Sequence, residues 1–295
     1  MSGMSEAFRA HVESGVTTLC RCWAIRREDG VQHGFTDHDR DIEFDGVVFR
    51  ADSGLTALTL EQATGLSVDN TEALGALSDA GLSEDEIEQG RLDGAEVLAW
   101  LVNWAAPDQR WLKFRGHIGE LRRSGGAFHA ELRGLTDALN RPLGRVYQKP
   151  CTAVLGDLAC GFDLARPGYV AEVTVQSIED RAKLRWDALA GFELGWFQRG
   201  RLTVLDGAAA GLWALIKRDA IDDGTRLIEL WEPIRGELSE GDRVRLTAGC
   251  DKRMETCRLK FDNVLNFQGF PDLPGEDWLM AVPKKSGANT GGSRR

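Results

Sequence analysis

Short runs in which apolar and polar residues alternate are the main pattern along the chain, and they predict β-strands. Residues 16–25 (VTTLCRCWAI) alternate in this way and are rich in β-branched residues. Residues 95–104, 111–121 and 127–135 continue the pattern, with Pro-Asp and Ser-Gly-Gly turns between them. Residues 1–145 are therefore predicted to form one β-rich domain.

Two short helices are predicted within this domain. Ser5 can cap a helix that runs through Ser14 and stops at Gly15. Ser83 and Glu86 have the spacing of a capping box, which predicts a second helix after Ser83.

Residues 34–54 predict two short strands joined by an Asp45-Gly46 hairpin turn. His33, Asp37, His38 and Asp39 lie beside this hairpin, and such side chains can ligate a hydrolytic metal. No HExxH or comparable spacing accompanies them, so we interpret the group as a polar turn between strands.

The second half of the chain is also predicted to be mainly β. A Pro- and Gly-containing interruption at 140–144 marks a domain boundary, which assigns residues 146–281 to a second domain. Residues 282–295 have no pattern and are predicted to be a disordered tail. The strand-like runs of the second domain are 169–178, 192–205 with a turn near 199–200, 211–220, 226–234 and 243–247. The predicted fold class is thus mainly β with short helices, a β-rich α+β fold in two domains.

Composition and charge exclude several functional classes. The 295 residues are 42% hydrophobic, enough for proper cores, and no apolar run is long enough for a membrane span. The N-terminus lacks a secretion signal, so we expect synthesis in the cytoplasm, where cysteines stay reduced. The net charge of −10 argues against a duplex-binding protein. Residues 61–90 hold eight carboxylates and no Lys or Arg. They are interpreted as a solvated helical face with acidic loops, the alternative being a negatively charged wall along a passage for DNA.

Six cysteines fall into three local pairs. Cys20 and Cys22 point to one face of a predicted strand and are interpreted as buried apolar residues. The other four, in two pairs separated by about ninety residues, outline a metal-ligand set: Cys151, Cys160, Cys250 and Cys257.

The spacing of these four cysteines leaves the metal open. Structural zinc sites draw their ligands from tighter C-x2-4-C pairs, whereas the spacings here are C-x8-C and C-x6-C. An iron–sulfur cluster accepts looser spacing because its ligands bind different irons. Spacing alone supports zinc and a cluster equally, and four unrelated cysteines are the remaining alternative. Either metal would clamp the irregular segment 247–275 onto the loop 151–160.

Three sequence segments resemble a known protein family. They are GFTDHDRDIEFDGVVFRA, CTAVLGDLACGFDL, and GCDKRMETCRLKFDNVLNFQGFPDLPG, with the motifs CDKR-x-x-T-C and F-x-G-F-P. The family is one of phage-derived conserved hypothetical proteins that includes the baseplate hub protein of alphaproteobacterial gene transfer agents. The cysteine domain is also similar to the tail tip protein L of lambda-like siphophages.

The resemblance implies a structural hub in the tail baseplate of a virion-like particle, assembled in the bacterial cytoplasm. It implies a homotrimer of tube-like β-domains that continues the tail channel, with DNA only in transit and no stable membrane insertion. The implied partners are a distal tail protein, a large central fibre or receptor-binding protein and a cell-wall peptidase. It also implies a structural [4Fe–4S] cluster on Cys151, Cys160, Cys250 and Cys257, which makes zinc the less favoured metal.

On this interpretation the chain is not an enzyme. The alternatives are a metal-dependent hydrolase that uses Asp37, His38 and Asp39, and an iron–sulfur redox protein of phage origin. A sugar-binding protein is a further alternative, which rests only on the nine tryptophans.

Overall fold

A computed structural model of the chain shows a mainly β protein, which confirms the predicted fold class. The chain divides into two compact units, Met1–Leu143 and Gly144–Arg295. The structure describes residues 4–51, 56–57, 70–76, 82–124, 127–134 and 144–273.

One sheet of nine strands organises the first unit, in the order β3-β4-β2-β1-β7-β8-β9-β6-β5. The strands are β1 (Leu19–Arg26), β2 (Gln32–Thr36), β3 (Ile42–Phe44), β4 (Val47–Arg50), β5 (Thr56–Ala57), β6 (Asn70–Ala76), β7 (Glu96–Asn103), β8 (Arg110–Ser124) and β9 (Ala127–Gly134). Neighbouring strands are antiparallel, except that β2 and β4 are parallel.

Both helices predicted in this unit are present. Helix α1 (Glu6–Glu13) begins at Ser5, whose side chain accepts a hydrogen bond from the backbone N–H of Phe8. Helix α2 (Glu84–Glu88) has the complete capping box between Ser83 and Glu86. The capping signals therefore defined each helix start correctly.

The hairpin between β3 and β4 is also confirmed. Asp45 and Gly46 have φ values of 52° and 73°. Two successive positive φ values are those of a type I′ turn, whose twist matches that of the flanking strands.

Strand β1 is buried on both faces. Trp23 and Ile25 belong to one apolar cluster, while Cys20 and Cys22 belong to another that includes Phe49. The neighbouring Cys20 thiol and burial raise the pKa of Cys22, which keeps that thiol protonated. The interpretation of Cys20 and Cys22 as apolar core residues is confirmed.

The acidic stretch at 61–90 agrees with its helical interpretation at α2 and differs from it at residues 70–76. Residues Asn70–Ala76 form strand β6, which pairs along its length with β9 and so is not part of a helical face. Pairing to a neighbouring strand outweighs the weak local preference of a segment such as NTEALGA. Residues 58–69 and 77–81 lie outside the described part of the chain, as do the interruption at 140–143 and the predicted tail 282–295.

A seven-stranded antiparallel sheet organises the second unit, in the order β10-β16-β13-β14-β15-β12-β11. Its strands are β10 (Val170–Thr174), β11 (Ser177–Glu179), β12 (Lys183–Trp186), β13 (Arg201–Val204), β14 (Trp213–Asp222), β15 (Thr225–Leu230) and β16 (Arg243–Thr247). Helix α3 (Met254–Leu259) and a 3₁₀ helix (Val264–Asn266) follow β16. No helix among the described residues is long and apolar enough to cross a membrane.

The predicted strand 192–205 is wrong over its first half. Arg226 on β15 donates to the backbone carbonyls of Phe192 and Glu193 at 2.7 and 2.6 Å. Asp219 on β14 accepts the backbone N–H of Phe197 at 3.0 Å. These buried side chains take up the backbone groups that a strand would use for pairing, so the segment forms turns and only Arg201–Val204 becomes a strand.

The strands of this unit differ from the prediction in two other places. The run 169–178 forms two strands, because the N–H of Val175 donates to the carbonyl of Asp242 at 2.8 Å and the pairing with β16 ends there. Strand β12 was not predicted, since its four residues KLRW are too short to show a period on their own.

Candidate metal centre

Two irregular segments bring the four predicted ligand cysteines together. Cys151 and Cys160 lie in a loop before β10, and Cys250 and Cys257 lie after β16. The backbone N–H of Cys151 donates to the carbonyl of Lys252 at 2.8 Å, which joins the two segments directly.

The loop that carries Cys160 is shaped by Asp157. Its carboxylate accepts the backbone N–H groups of Cys160 and Val154 at 2.6 and 2.8 Å. These hydrogen bonds lower the pKa of Asp157, so the carboxylate is charged at neutral pH. One side chain thus closes the turn and orients the cysteine.

The position of Cys250 depends on close backbone packing. A Cβ atom added to Gly249 would lie 1.7 Å from the carbonyl oxygen of Gln198, so only glycine fits. Lys252 has a φ of 68°, a left-handed conformation that turns the chain after Cys250. Helix α3 then presents Cys257 from its last turn, on the side that is buried.

All four cysteine side chains line the same small cavity, together with Lys252. Among the described residues, no group of three or more His, Cys, Asp or Glu side chains is placed to hold a metal ion. The four cysteine side chains thus share one cavity without forming a closed ligand set.

Amide groups donate hydrogen bonds to three of the four sulfur atoms. The backbone N–H of Gln268 lies 3.4 Å from Sγ of Cys151, and that of Lys252 lies 3.4 Å from Sγ of Cys250. The side-chain amide of Asn263 lies 3.5 Å from Sγ of Cys160. Such donors would offset the negative charge of thiolates bound to a metal.

Asn263 connects two of the cysteines. Its side-chain Nδ2 donates to the backbone carbonyl of Cys160 at 2.7 Å. Its backbone carbonyl accepts a hydrogen bond from the Cys257 thiol at 3.3 Å. Neither Asn263 nor Gln268 was predicted from the sequence as part of the site. Their only sequence signal is that they lie within the C-terminal cysteine motif.

Without a metal the thiols of Cys250 and Cys257 hold their protons. Burial, and to a smaller extent the other three cysteines, raises the pKa of Cys257 to about 11. Burial also raises the pKa of Cys250. Metal ligation would therefore release protons from these thiols.

Lys260 holds the backbone that follows strand β16 and leads to Cys250. Its ammonium group donates to the carbonyls of Trp196 and Gly249 at 2.6 and 2.9 Å and lies 4.3 Å from the Trp196 ring centre. Burial lowers its pKa. The hydroxyl of Tyr169 donates to the Lys260 carbonyl at 2.7 Å, which ties the helix end to the sheet.

Aromatic side chains support the loop that carries Cys160. Phe162 packs edge-on against Tyr169 and Phe261, with ring centres 4.8 and 5.0 Å apart. Phe162 and Phe261 are buried in the same cluster as Cys160. The cysteine site thus has its own small apolar core, apart from the main core of the unit.

The His33, Asp37, His38 and Asp39 side chains have separate surroundings. His33 faces Glu86, with 3.6 Å between Nε2 and Oε1. Asp37 accepts a backbone N–H of β1 at 2.6 Å, while His38 lies 3.0 Å from the exposed Asp39. These contacts give the four side chains different hydrogen-bond and ion-pair partners around the turn.

Two known families match the sequence. One, described as "Baseplate hub protein, N-terminal attachment domain", matches residues 5–163. The other, described as "Phage conserved hypothetical protein BR0599", matches residues 195–277, which include Cys250 and Cys257. The chain is therefore a protein of the phage baseplate class.

A solved structure is similar over the full length. A chain of "Virion of native gene transfer agent (GTA) particle" is 54% identical, with a TM-score of 0.90. The likeness covers 98% of this chain and 99% of that chain. No curated protein sequence is significantly similar. The chain belongs to the baseplate hub protein family, which confirms the family identified from the sequence.

Proposed function

We propose that the chain is a trimeric structural hub in the tail baseplate of a gene transfer agent or related phage-like particle. The observation that carries this proposal is the full-length likeness, at 54% identity, to a chain of a gene transfer agent virion. A likeness that covers both chains almost completely favours the same role in the particle. The proposed function needs no catalysis.

We further propose that Cys151, Cys160, Cys250 and Cys257 hold a [4Fe–4S] cluster. Four cysteines that surround one cavity suit a cluster, because each thiolate binds a different iron. A single zinc ion would need sulfurs about 3.8 Å apart, with Zn–S near 2.3 Å. When bound, the cluster would act as a cross-link between the segments 151–163 and 249–268. The cysteines, Asn263 and the backbone donors would hold it in place.

The proposed partners follow from the same role. A distal tail protein would lie above the hub, and a central fibre or receptor-binding protein with a cell-wall peptidase would lie below it. DNA would pass through the trimer without stable binding, since a net charge of −10 disfavours adhesion of nucleic acid.

The deciding experiment is metal analysis of the full chain purified without oxygen. We expect a brown protein with absorbance near 400 nm and with iron and sulfide in similar amounts. Zinc alone, near one per chain, would retain the four-cysteine clamp but overturn the cluster. A cluster whose reversible reduction alters activity with an electron partner would favour the redox alternative.

The oligomeric state tests the hub independently. Light scattering of the metal-loaded chain, or of hub complexes released from particles, is expected to give a trimer. A stable dimer would contradict the proposed hub. The hydrolase alternative requires His33→Ala and His38→Ala to abolish an activity while assembly stays intact, whereas variants that merely fail to assemble would remove that alternative.

A further inference from the structure

The outer face of the second sheet carries an unusual set of exposed side chains. Its inner face is apolar and buried, as Leu202, Ile216 and Leu246 show. On the outer face, Trp213 and Leu215 on β14 are 55% and 50% exposed. Antiparallel sheets with one face in water usually place polar residues there, so large apolar residues on this face need an explanation.

A cleft of about 960 Å³ crosses this face. Strand register defines its floor, since Val170, Thr247, Arg201 and Leu215 are successive cross-strand neighbours on β10, β16, β13 and β14. Trp231, which is 64% exposed, closes the row through a backbone hydrogen bond of 2.9 Å to the carbonyl of Leu215. With strands about 4.8 Å apart, four strands span about 14 Å, the length of several extended residues.

The opposite wall of the cleft is formed by the loop that carries the first cysteine pair. Val154, Leu155 and Leu164 line it, and Val154 is exposed. The cleft therefore has apolar side chains both on its floor, at Leu215, and along this wall.

The charge of the cleft is opposite to that of the chain. Arg199, Arg201, Arg245 and Lys252 line it, and Glu172 is the one carboxylate among the described lining residues. Glu172 pairs with Arg245 at 2.6 Å. The cleft thus has an excess of positive charge in a chain of net charge −10.

The three remaining cations are held in place by neutral groups. Arg201 lies 5.3 Å from the Trp213 ring centre and donates to Thr203 at 3.1 Å. Arg199 donates to a backbone carbonyl at 3.4 Å, and Lys252 donates to the carbonyl of Ala153. Fixed cations beside exposed aromatic rings are typical of the centres of protein interfaces, where Arg and Trp contribute most of the affinity.

We propose that this sheet cleft binds an extended segment of another tail protein that carries Asp or Glu next to apolar side chains. Its carboxylates would meet Arg199, Arg201 and Lys252, and its apolar residues would cover Leu215 and Trp231. The aliphatic wall favours a protein over nucleic acid or sugar, because neither of those gains from aliphatic contacts. The inference rests on the proposed role as a hub, which must bind other tail proteins.

Site-specific photo-crosslinking in assembled particles tests the proposal. A benzophenone amino acid at Leu215 is irradiated in purified particles, and the cross-linked peptide is identified by mass spectrometry. Ile221 on the same strand, also exposed but outside the cleft, is the matched control position. We expect a Leu215-specific cross-link to a segment of another protein that contains carboxylates and apolar residues.

Charge reversal gives the second readout. Arg201→Glu is expected to lower the cross-link yield about tenfold, while Arg201→Lys retains most of it, because reversal of one interface charge weakens an opposite-charge contact. Melting temperatures of both variants show whether the fold is intact.

Results that contradict the cleft proposal differ from those that contradict the proposed function. A cross-link to a second copy of this chain, to a segment without carboxylates or to a saccharide would overturn the inference. So would a Leu215 yield no higher than that of Ile221. Absence of the chain from purified particles would instead overturn the proposed function, and the inference with it.

Discussion

At the scale of single residues, the six cysteines show how environment separates one side-chain type into two roles. Cys20 and Cys22 lie in a strand between two apolar layers, where a thiol behaves as a small apolar group. The other four line a cavity, three of them from irregular segments and Cys257 from helix α3, and amide donors are directed at three of the four sulfurs. The difference lies in the surrounding backbone, not in the cysteines.

The first prediction compares one cysteine of each kind. Cys257→Ser is expected to reduce bound iron to less than half, because the proposed cluster would lose a ligand, and to lower the melting temperature. Cys20→Ser is expected to keep the full iron content, because Cys20 does not line the cysteine cavity. The fold is expected to be kept as well, since a serine hydroxyl can also donate to the Val102 carbonyl, which Cys20 contacts at 3.6 Å. Iron analysis of both variants checks this, and equal loss of metal would contradict the assignment of ligands.

The second prediction concerns Asn263. Asn263→Ala removes the donor to the Cys160 carbonyl and is expected to destabilise the unit by about 1–3 kcal/mol, the cost of an unsatisfied buried group. Asn266→Ala is the control, because Asn266 is exposed and the bond that its side chain donates, at 2.8 Å, is to the Asn263 side chain and not to a cysteine. Denaturant unfolding of both variants measures the difference. A cost for Asn266→Ala equal to that for Asn263→Ala would refute the bridging role.

At the scale of elements, the segment 192–198 shows how side chains can override a strand pattern. Asp219 and Arg226 are almost fully buried and pair at 2.8 Å on neighbouring strands. Together they bind three backbone groups of the segment. The same residues therefore stabilise the sheet and prevent 192–198 from joining it.

The third prediction tests this buried pair. Asp219→Ala leaves the Arg226 charge buried without its partner and is expected to destabilise the second unit by about 3–5 kcal/mol. Glu172→Ala breaks an exposed pair with Arg245 and is expected to cost less than about 1 kcal/mol. Urea unfolding separates the two cases, and similar costs would show that burial of the pair has little energetic importance.

At the scale of the whole molecule, the two units have different means of stabilisation. The first unit has apolar layers on both faces of its sheet. The second has one main core and a separate small cluster around the cysteines. The proposed metal would therefore stabilise one region of one unit.

The fourth prediction follows from that separation. Removal of the metal with a chelator and reductant is expected to speed hydrogen exchange about 100-fold in 151–163 and 249–268, which corresponds to a loss of about 2.7 kcal/mol. Exchange in β1 and β7 of the first unit is expected to stay unchanged. Hydrogen-exchange mass spectrometry of the full chain measures both, and uniform loss of protection would show that the metal stabilises the whole chain.

The sequence by itself determined the β class, both N-terminal helices, the hairpin at Asp45-Gly46 and the family. These depend on local signals in the sequence: side-chain alternation, capping residues, the Asp-Gly turn pair and short motifs. The four candidate ligands were also evident from the cysteine pairs, because each pair is close in sequence.

Only the tertiary structure decided the features that depend on distant contacts. Whether the four sulfurs share one cavity depends on contacts such as the backbone hydrogen bond between Cys151 and Lys252, which are about a hundred residues apart in the sequence. The turns at 192–198, strand β6 and the sheet cleft likewise arise from residues that meet only after folding. Local patterns carry no information on which distant groups will meet, and the free energy of those contacts exceeds the local preferences that the sequence displays.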